Sequence, residues 1–143
     1  MPELNFTPEQ RAAIDTRGST VLVSAAAGSG KTRVLTERLM AYLTDAEDPV
    51  DIDRFLVITY TRAAAAELRS RILDGIYARI ASDPENRSLR RQVALCAHAE
   101  IGTIHSFCAD FLRANCAALA LAPDFQVADT GLSSLPLVAG ILP

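Results

Sequence analysis

The sequence predicts an α/β domain in which helices flank a parallel β-sheet. Two short apolar runs, at residues 20–24 and 55–59, and an extended segment at residues 100–103 alternate with segments whose apolar residues recur at helical spacing. Short apolar runs are typical of buried strands, and apolar residues three or four positions apart are typical of helices that pack on one side. Because strands and helices alternate, parallel strands with right-handed crossovers are favoured.

The first predicted helix spans residues 8–17 and has a defined start and end. Thr7 is suited to cap its N-terminus, since Pro8 fits the first helical position and Gln10 lies three residues after the cap. Gly18 ends the helix.

A strand, a loop of small residues and a second helix follow. The strand is predicted over Thr20–Ser24, the loop over Ala25–Gly30 and the helix over Lys31–Leu43. The apolar residues of this helix are Val34, Leu35, Leu39 and Tyr42. A strand, a glycine-containing loop and a helix in this order are the context that a phosphate-binding loop requires.

Six further segments are predicted after residue 44. In order they are an acidic surface loop, a buried strand, a long helix, a shorter helix, an extended segment and a final helix, at residues 45–53, 55–59, 63–81, 86–99, 100–103 and 105–119. Asp83-Pro84 ends the long helix. We expect these side chains to face a core: Leu68, Ile72, Ile76, Ile80, Phe107, Phe111 and Leu112.

Composition limits the classes of protein to which the chain can belong. Its 143 residues suffice for one domain, and half of them are hydrophobic, which allows a sizeable core. The net charge is −3, from 14 basic and 17 acidic residues, so any contact with nucleic acid has to come from a local patch. Lys31 is the only lysine.

Targeting features are not visible in the sequence. Residues 1–10 lack the apolar region of a secretory signal, and residues 135–142 are far short of the roughly 20 apolar residues of a membrane span. The three cysteines are Cys96, Cys108 and Cys116. Their odd number and the lack of C-x-x-C spacing favour reduced thiols over a metal site or a disulfide. We therefore expect a cytoplasmic protein.

The segment from Ala25 to Thr32 has the sequence and context of a Walker A loop, which predicts a P-loop NTPase. Small residues let backbone N–H groups turn toward phosphate oxygens, and the N-terminus of the following helix adds partial positive charge. Lys31 would reach the β and γ phosphates of ATP, and the Thr32 hydroxyl would hold Mg²⁺. Ala25 departs from the general motif, which has glycine there. The alternative is a Gly-Ser turn that only caps a helix.

The residues just upstream of this loop narrow the family. Phe6-Thr-Pro-Glu-Gln10 resembles the Q motif of superfamily 1 helicases, in which the glutamine contacts adenine. A carboxamide can complement the donor and acceptor of the adenine edge together. The alternative is that Gln10 serves only the helix cap. Lys31 and Thr32 are the predicted catalytic residues. The predicted nucleotide-binding residues are Gln10, Ala25, Ala26, Ala27, Gly28, Ser29, Gly30, Lys31, Thr32 and Arg33.

A later segment, Leu56–Arg71, resembles motif Ia of UvrD/Rep-type helicases, which lies along single-stranded DNA. The resemblance implies that Thr59 and Thr61 offer hydroxyls to phosphate, that Tyr60 stacks on a base, and that Arg62 adds positive charge. The alternative for Tyr60 is core packing at the end of a strand.

A third segment, Ile101–Cys108, resembles motif Ib/Ic, another DNA-contact motif. The resemblance implies DNA contacts from Thr103 and His105, although a lone histidine can equally be structural. The alanine run Ala63–Ala66 would let the long helix pack close to the sheet.

Together these motifs are similar to the AddA family of helicase–nuclease proteins, which is related to RecB. The similarity covers about residues 5–129 and also includes the segments Asp51–Phe55 and Pro123–Asp129. It implies a RecA-like parallel sheet, here an incomplete first motor domain, and ATP with Mg²⁺ as cofactors. It further implies single-stranded or duplex-end DNA as ligand, a protein partner of the AddB type and a role in double-strand break repair and recombination.

The sequence contains no strand followed by Asp-Glu, where this family places its Mg²⁺ ligand and the carboxylate that positions water. Val127-Ala-Asp129 is the nearest candidate. We accordingly predict that residues 1–129 form the N-terminal part of a UvrD-like ATP-binding domain and that the uncharged residues 130–143 are a tail or truncation remnant. We expect the chain to bind nucleotide, and single-stranded DNA weakly, without unwinding.

Two other interpretations stay open. A small P-loop kinase or other phosphotransferase would use the same loop, with a lid formed by Arg87, Arg90 and Arg91. It would leave the segments from Leu56 and from Ile101 unexplained. A non-functional truncated product would have an incomplete sheet and no stable fold of its own.

Overall fold

Five helices and two strands make up the described part of the chain. The computed structural model describes residues 5–122, 124, 125 and 127. The helices are α1 (Pro8–Asp15), α2 (Lys31–Leu43), α3 (Arg62–Ser82), α4 (Arg87–Leu95) and α5 (Ile104–Ala114). The strands are β1 (Leu56–Thr59) and β2 (Glu100–Thr103), and 3₁₀ turns lie at Ile52–Arg54 and Cys116–Leu119.

Strands β1 and β2 form a parallel sheet. Leu56 pairs with Glu100 and Thr59 with Thr103, so both strands end at the same edge. Parallel strands need a long crossover connection, and α3 and α4 provide it. The predicted α/β class, with parallel strands and flanking helices, is confirmed.

The main core lies between α2, α3 and the sheet. Leu68, Ile72 and Ile76 of α3 are buried, as the predicted apolar stripe requires, while Ile80 at its end is partly buried. The other elements contribute Leu39, Met40, Leu43, Ile52, Val57, Cys96, Ala99 and Ile101. Each large apolar side chain that is fully buried stabilises the fold by about 1.5–3 kcal/mol, so this cluster is the main source of stability.

Side-chain caps set the ends of α3 and α4. The Thr61 hydroxyl accepts a hydrogen bond from the Ala64 amide at 3.1 Å. The Asn86 side chain accepts from the Leu89 amide at 3.1 Å. Asp83 ends α3, which confirms the break predicted at Asp83-Pro84.

Two polar side chains tie the helices to the strands and the adjoining loops. The guanidinium of Arg69 donates to the carbonyls of Cys96, of Ala99 at 3.1 Å and of Ile101 at 3.3 Å. The buried Gln92 accepts from the Ile52 amide at 2.9 Å and donates to an Asp51 carboxylate oxygen at 2.7 Å. These contacts satisfy polar groups that would otherwise be costly to bury.

The prediction of a buried strand over Thr20–Ser24 is wrong. This segment is outside the sheet, and the side chain of Leu22 is 92% exposed. A strand requires a neighbour that exchanges backbone hydrogen bonds with it, and within the described ranges β1 and β2 pair only with each other. Composition suited to a strand was therefore not enough to place this segment in the sheet.

Helices α1 and α4 are shorter than the sequence predicts, whereas α2 has the predicted span and α3 is one residue longer at each end. α1 ends at Asp15, because the backbone of its C-cap Thr16 is extended, with φ −61° and ψ 127°. The Thr16 amide and hydroxyl still donate to the Ala12 carbonyl, at 3.0 and 2.6 Å. α4 ends at Leu95 because the chain turns there into β2. Of the alanine run Ala63–Ala66, only Ala65 is buried, so the expected close packing is confined to one residue.

Helix α5 belongs to a second compact unit, which begins at His105. The predicted helix over residues 105–119 is split, since α5 ends at Ala114 and a 3₁₀ turn follows. Phe111 is 57% exposed, so the prediction that it faces inward is wrong. Phe107 and Leu112 are partly buried.

All three cysteines lie within the described residues as free thiols. Cys96 is buried, and burial raises the pKa of its thiol, whereas Cys108 is exposed and Cys116 is partly buried. No helix within residues 5–122 is long and apolar enough to cross a membrane. The predicted tail at residues 130–143, and Asp129 of the candidate acidic motif, lie outside the described residues.

Candidate nucleotide-binding site and DNA-contact segments

Two glycines shape the loop that precedes α2. Gly28 and Gly30 have φ values of 78° and 84°, in the left-handed region that favours glycine. Gly30 is the N-cap of α2, and it supplies no side-chain hydrogen bond to the first amides of that helix. Among the described residues, Ala120 is the only non-glycine residue with positive φ. Ala25 therefore has the negative φ that alanine accepts. The backbone conformation of the loop therefore does not require glycine at position 25.

Lys31 folds back onto this loop. Its ammonium donates to the carbonyls of Ala25 and Ala26, each at 2.7 Å. An ammonium has three N–H donors, so these two bonds leave the capacity to bind one anionic oxygen. Thr32 follows in the first turn of α2 and is exposed. A positive charge beside an exposed helix N-terminus is an arrangement that fits phosphate.

Gln10 connects α1 to the loop. Its Oε1 accepts from the Thr7 amide at 3.0 Å, and its own amide is bonded to the Thr7 hydroxyl, which completes the predicted capping box. Its Nε2 donates to the Ser29 carbonyl at 3.1 Å. One carboxamide thus serves both the helix cap and the loop, and the contact with Ser29 was not predicted.

Arg33 lies on the outer side of the same region. Its guanidinium carbon is 4.7 Å from the centroid of the Phe6 ring, and that of Arg11 is 5.4 Å from it. Such distances are typical of cation–π contacts. Phe6, which precedes the cap residue Thr7, is therefore in contact with Arg33 in the first turn of α2.

A cleft of about 540 Å³ lies between α1, the segment 21–25 and the start of α2. Gln10, Ser29 and Lys31 are among its lining residues. The rest of the lining is mainly apolar or small: Thr7, Glu9, Ala12, Ala13, Thr16, Val21, Leu22, Val23, Ser24, Ala25 and Val34. An apolar cleft with a few converging polar groups is typical of small-molecule sites.

Four of the residues predicted to contact DNA, Thr59 to Arg62, lie at the carboxyl end of β1 and the start of α3. Tyr60 is fully exposed, so the alternative that it packs in the core is wrong. The Thr59 hydroxyl donates to the Thr61 carbonyl at 3.0 Å. Thr61 caps α3, yet its hydroxyl, which accepts there, keeps its own proton to donate. Arg62 is exposed in the first turn of α3.

Thr103 and His105, the other residues predicted to contact DNA, differ in exposure. Thr103 pairs with Thr59 across the sheet and is buried. His105 is exposed on the first turn of α5. Of these two side chains, only that of His105 lies at the surface.

A comparison with known families decides the identity of the chain. It matches the UvrD/REP helicase N-terminal domain over residues 6–141. The chain belongs to the UvrD/REP helicase family. The resemblance found in the Q motif, the phosphate loop and the two DNA-contact motifs is thereby confirmed at the level of the family.

Curated relatives of this UvrD/REP segment are bacterial proteins whose names describe them as the A subunits of ATP-dependent helicase/nucleases. The chain is 52% identical over 125 residues to that of Clostridium acetobutylicum, which covers 87% of the chain and 10% of the relative. It is 53% identical over 124 residues to that of Moorella thermoacetica, covering 87% and 9%. For Clostridium beijerinckii it is 47% over 129 residues, covering 90% and 10%. The chain thus spans about a tenth of the length of these relatives, and its similarity to AddA is confirmed.

Membership of the UvrD/REP family favours the helicase interpretation over a small phosphotransferase. Two of the arginines suggested for a kinase lid are engaged around α4, where Arg90 donates to the Pro84 carbonyl at 2.6 Å and Arg91 pairs with Asp51. Within the part of the chain that the structure describes, no three His, Cys, Asp or Glu side chains are grouped so as to hold a metal ion.

Proposed function

We propose that this chain is the ATP-binding segment of an AddA-type, ATP-dependent DNA helicase. The observation that carries the proposal is the glycine loop at the N-terminus of α2, where Lys31 lies over the loop and Gln10 is bonded to it. A family of ATP-dependent relatives at about half identity supports the same function.

ATP would lie with its phosphates on the loop and its base near Gln10. Lys31 would bind the phosphates, and the Thr32 hydroxyl would hold the Mg²⁺ that accompanies them. Gln10 would exchange its contact with Ser29 for the adenine edge. Bound Mg²⁺ would supply charge neutralisation of the phosphates, and this chain's contribution is to bind and orient them.

Single-stranded DNA would pass along the carboxyl end of β1. The exposed ring of Tyr60 would stack on a base, and the hydroxyls of Thr59 and Thr61, with Arg62, would contact phosphates. In the second unit, the exposed His105 would contact DNA on its own account. The burial of Thr103 favours a role within the sheet.

The whole protein would process DNA ends as a helicase and exonuclease in double-strand break repair and recombination, in the cytoplasm and with an AddB-like partner. We propose that the 143-residue chain alone binds nucleotide, and single-stranded DNA weakly, but does not unwind DNA. Unwinding by the purified chain would contradict this proposal. Broad, non-cooperative unfolding that ATP and Mg²⁺ leave unchanged would instead support the alternative of a non-functional product.

The nucleotide site is tested by titrating the chain with a fluorescent ATP analogue and Mg²⁺. We expect saturable binding that Lys31→Ala weakens at least tenfold, about 1.4 kcal/mol, because the loop loses its only ammonium. Arg71→Ala, which removes an exposed cation on α3, is the control and should bind like the wild type. Equal binding by wild type and Lys31→Ala would contradict the assignment of this loop.

The DNA track is tested with a fluorescent oligonucleotide and two identical substitutions. Tyr60→Ala should weaken binding roughly tenfold, since base stacking contributes about 1–3 kcal/mol. Tyr77→Ala removes an exposed tyrosine from α3, away from the end of β1, and should change binding less than twofold, about 0.4 kcal/mol. Similar losses in both variants would show that Tyr60 has no specific role.

A further inference from the structure

We infer that Arg38 of α2 is a positioning residue for Gln10, so that it controls how well the site distinguishes adenine from other bases. This inference rests on the proposed function, in which Gln10 contacts adenine. Arg38 itself touches neither the phosphate loop nor Gln10 in the described contacts. It acts through α1, the helix that carries Gln10.

Arg38 holds the carboxyl end of α1. One nitrogen of its guanidinium donates to the Ala13 carbonyl at 2.5 Å and, more weakly, to the Ile14 carbonyl at 3.4 Å. The last carbonyls of a helix have no partner within the helix, so a neighbouring cation stabilises them twice, by hydrogen bonding and by favourable charge at the negative end. A second nitrogen donates to the Tyr42 hydroxyl at 3.3 Å, which fixes the side chain on α2.

Arg17 adds a second attachment at the same end of α1. It donates to the Ile14 carbonyl at 2.6 Å, and its guanidinium carbon lies 3.9 Å from the centroid of the Tyr42 ring. The Tyr42 ring in turn packs edge-on against Phe55, with centroids 5.5 Å apart. The carboxyl end of α1 is therefore joined to α2 and, through the aromatic rings, to the segment that leads into β1.

α1 depends on such attachments because it is short. Its eight residues span about 12 Å, and an isolated helix of this length is not stable in water. At its amino end, Gln10 is bonded to Ser29 of the loop. At its carboxyl end, Arg38 and Arg17 set the position of the helix. Loosening the carboxyl end therefore leaves Gln10 less well placed.

Helix α2 also connects the residues proposed to bind the two ends of the nucleotide. Lys31, which would bind phosphate, and Arg38 are on the same helix and about two turns apart. Helix α2 thus sets the distance between the phosphate loop and α1, and hence between phosphate and adenine contacts. Loss of Arg38 should affect recognition of the base and leave recognition of the phosphates intact.

The experiment measures binding of Mg-ATP, Mg-GTP and Mg-tripolyphosphate to the 143-residue chain. The wild type should prefer ATP to GTP, because a carboxamide that complements adenine is mismatched with the acceptors of guanine. Arg38→Ala should weaken ATP binding about fivefold, which is the effect expected for one lost hydrogen bond. The ratio of ATP affinity to GTP affinity should fall toward one, and tripolyphosphate affinity should stay unchanged. Arg38→Lys, which keeps one donor to the Ala13 carbonyl, should be intermediate.

Arg90→Ala is the matched control. It removes an exposed arginine of α4 that donates to the Pro84 carbonyl, just before that helix. If Arg38→Ala loses helical circular dichroism, Tyr42→Phe decides, because it deletes the hydroxyl acceptor of Arg38 and leaves the ring in place. It should lower the ATP/GTP ratio about twofold, the effect of one weak hydrogen bond.

Three outcomes would overturn the inference, and they are distinguishable. A wild type that binds tripolyphosphate but does not prefer ATP to GTP would remove the adenine role of Gln10 from the proposed function, and this inference with it. A wild type that prefers ATP while Arg38→Ala and Tyr42→Phe keep the same ratio would refute the inference alone. Equal losses for ATP, GTP and tripolyphosphate would show that Arg38 only stabilises the fold.

Discussion

Residues 20–24 and 55–59 have similar compositions, but only the second run forms a strand. The second run became β1, in which Val57 is 8% exposed and pairs with Ile101 of β2. The first lies outside the sheet with Leu22 92% exposed. Apolar and β-branched composition makes a strand possible, but a hydrogen-bonding neighbour makes it a strand.

The difference extends to the regions around the two runs. The sheet region, residues 50–103, is held by a packed core. The loop region, residues 5–32, has one buried apolar side chain, Ile14, and is otherwise held by individual hydrogen bonds such as those of Gln10 and Lys31. Each such bond contributes about 0.5–1.5 kcal/mol, less than a large buried side chain. The loop region is therefore the more easily rearranged of the two, as ligand-binding segments often are.

The largest expected effect comes from one substitution made in both regions. Leu68→Ala should lower the free energy of unfolding by about 2–5 kcal/mol, because Leu68 is 4% exposed and a cavity would remain. Leu22→Ala should change it by less than about 0.5 kcal/mol, as for an exposed side chain. Chemical denaturation measures both. Comparable losses would mean that residues 20–24 pack like β1 in solution.

A smaller effect is expected at an arginine of the sheet region. Arg69→Ala should destabilise the chain by about 1.5–3 kcal/mol, since it leaves the carbonyls of Cys96, Ala99 and Ile101 without their charged donor. Arg71→Ala, two residues later, breaks only an exposed ion pair with Glu67 and should cost about 0.5 kcal/mol or less. Thermal unfolding of the two variants side by side measures the difference, and equal midpoints would argue against the Arg69 contacts.

The smallest expected effect compares a glycine of each region. Gly30→Ala forces alanine to φ near 84° and should cost about 1–2 kcal/mol. Gly75→Ala lies within α3, where a gain of about 1 kcal/mol in helix propensity is offset because the new Cβ would lie 3.3 Å from Met40 Sδ. We expect Gly75→Ala to stay within about 0.5 kcal/mol of the wild type in urea unfolding. A Gly30→Ala protein as stable as wild type would show that the loop can adopt another conformation.

Local interactions made much of the structure predictable. The capping box of Thr7 and Gln10, the span of α2 and the break at Asp83-Pro84 depend on residues a few positions apart. The parallel pairing of β1 and β2 followed from the alternation of strands and helices. The loop proposed to bind phosphate could be located for the same reason, because it is one continuous segment, and its Gly28 and Gly30 have the positive φ values that favour glycine.

The sequence by itself determined which residues can turn, cap and form helices, and it is the basis of the prediction that residues 25–32 bind phosphate. The tertiary structure alone decided that residues 20–24 stay outside the sheet and that Tyr60 lies at the surface. It also decided the partners of Arg38, whose acceptor at Ala13 is 25 residues away, and of Arg69, whose acceptors are 27 to 32 residues away. Local propensities act over a single turn or strand, whereas such contacts depend on how separate elements pack, and that information is not present in any one segment.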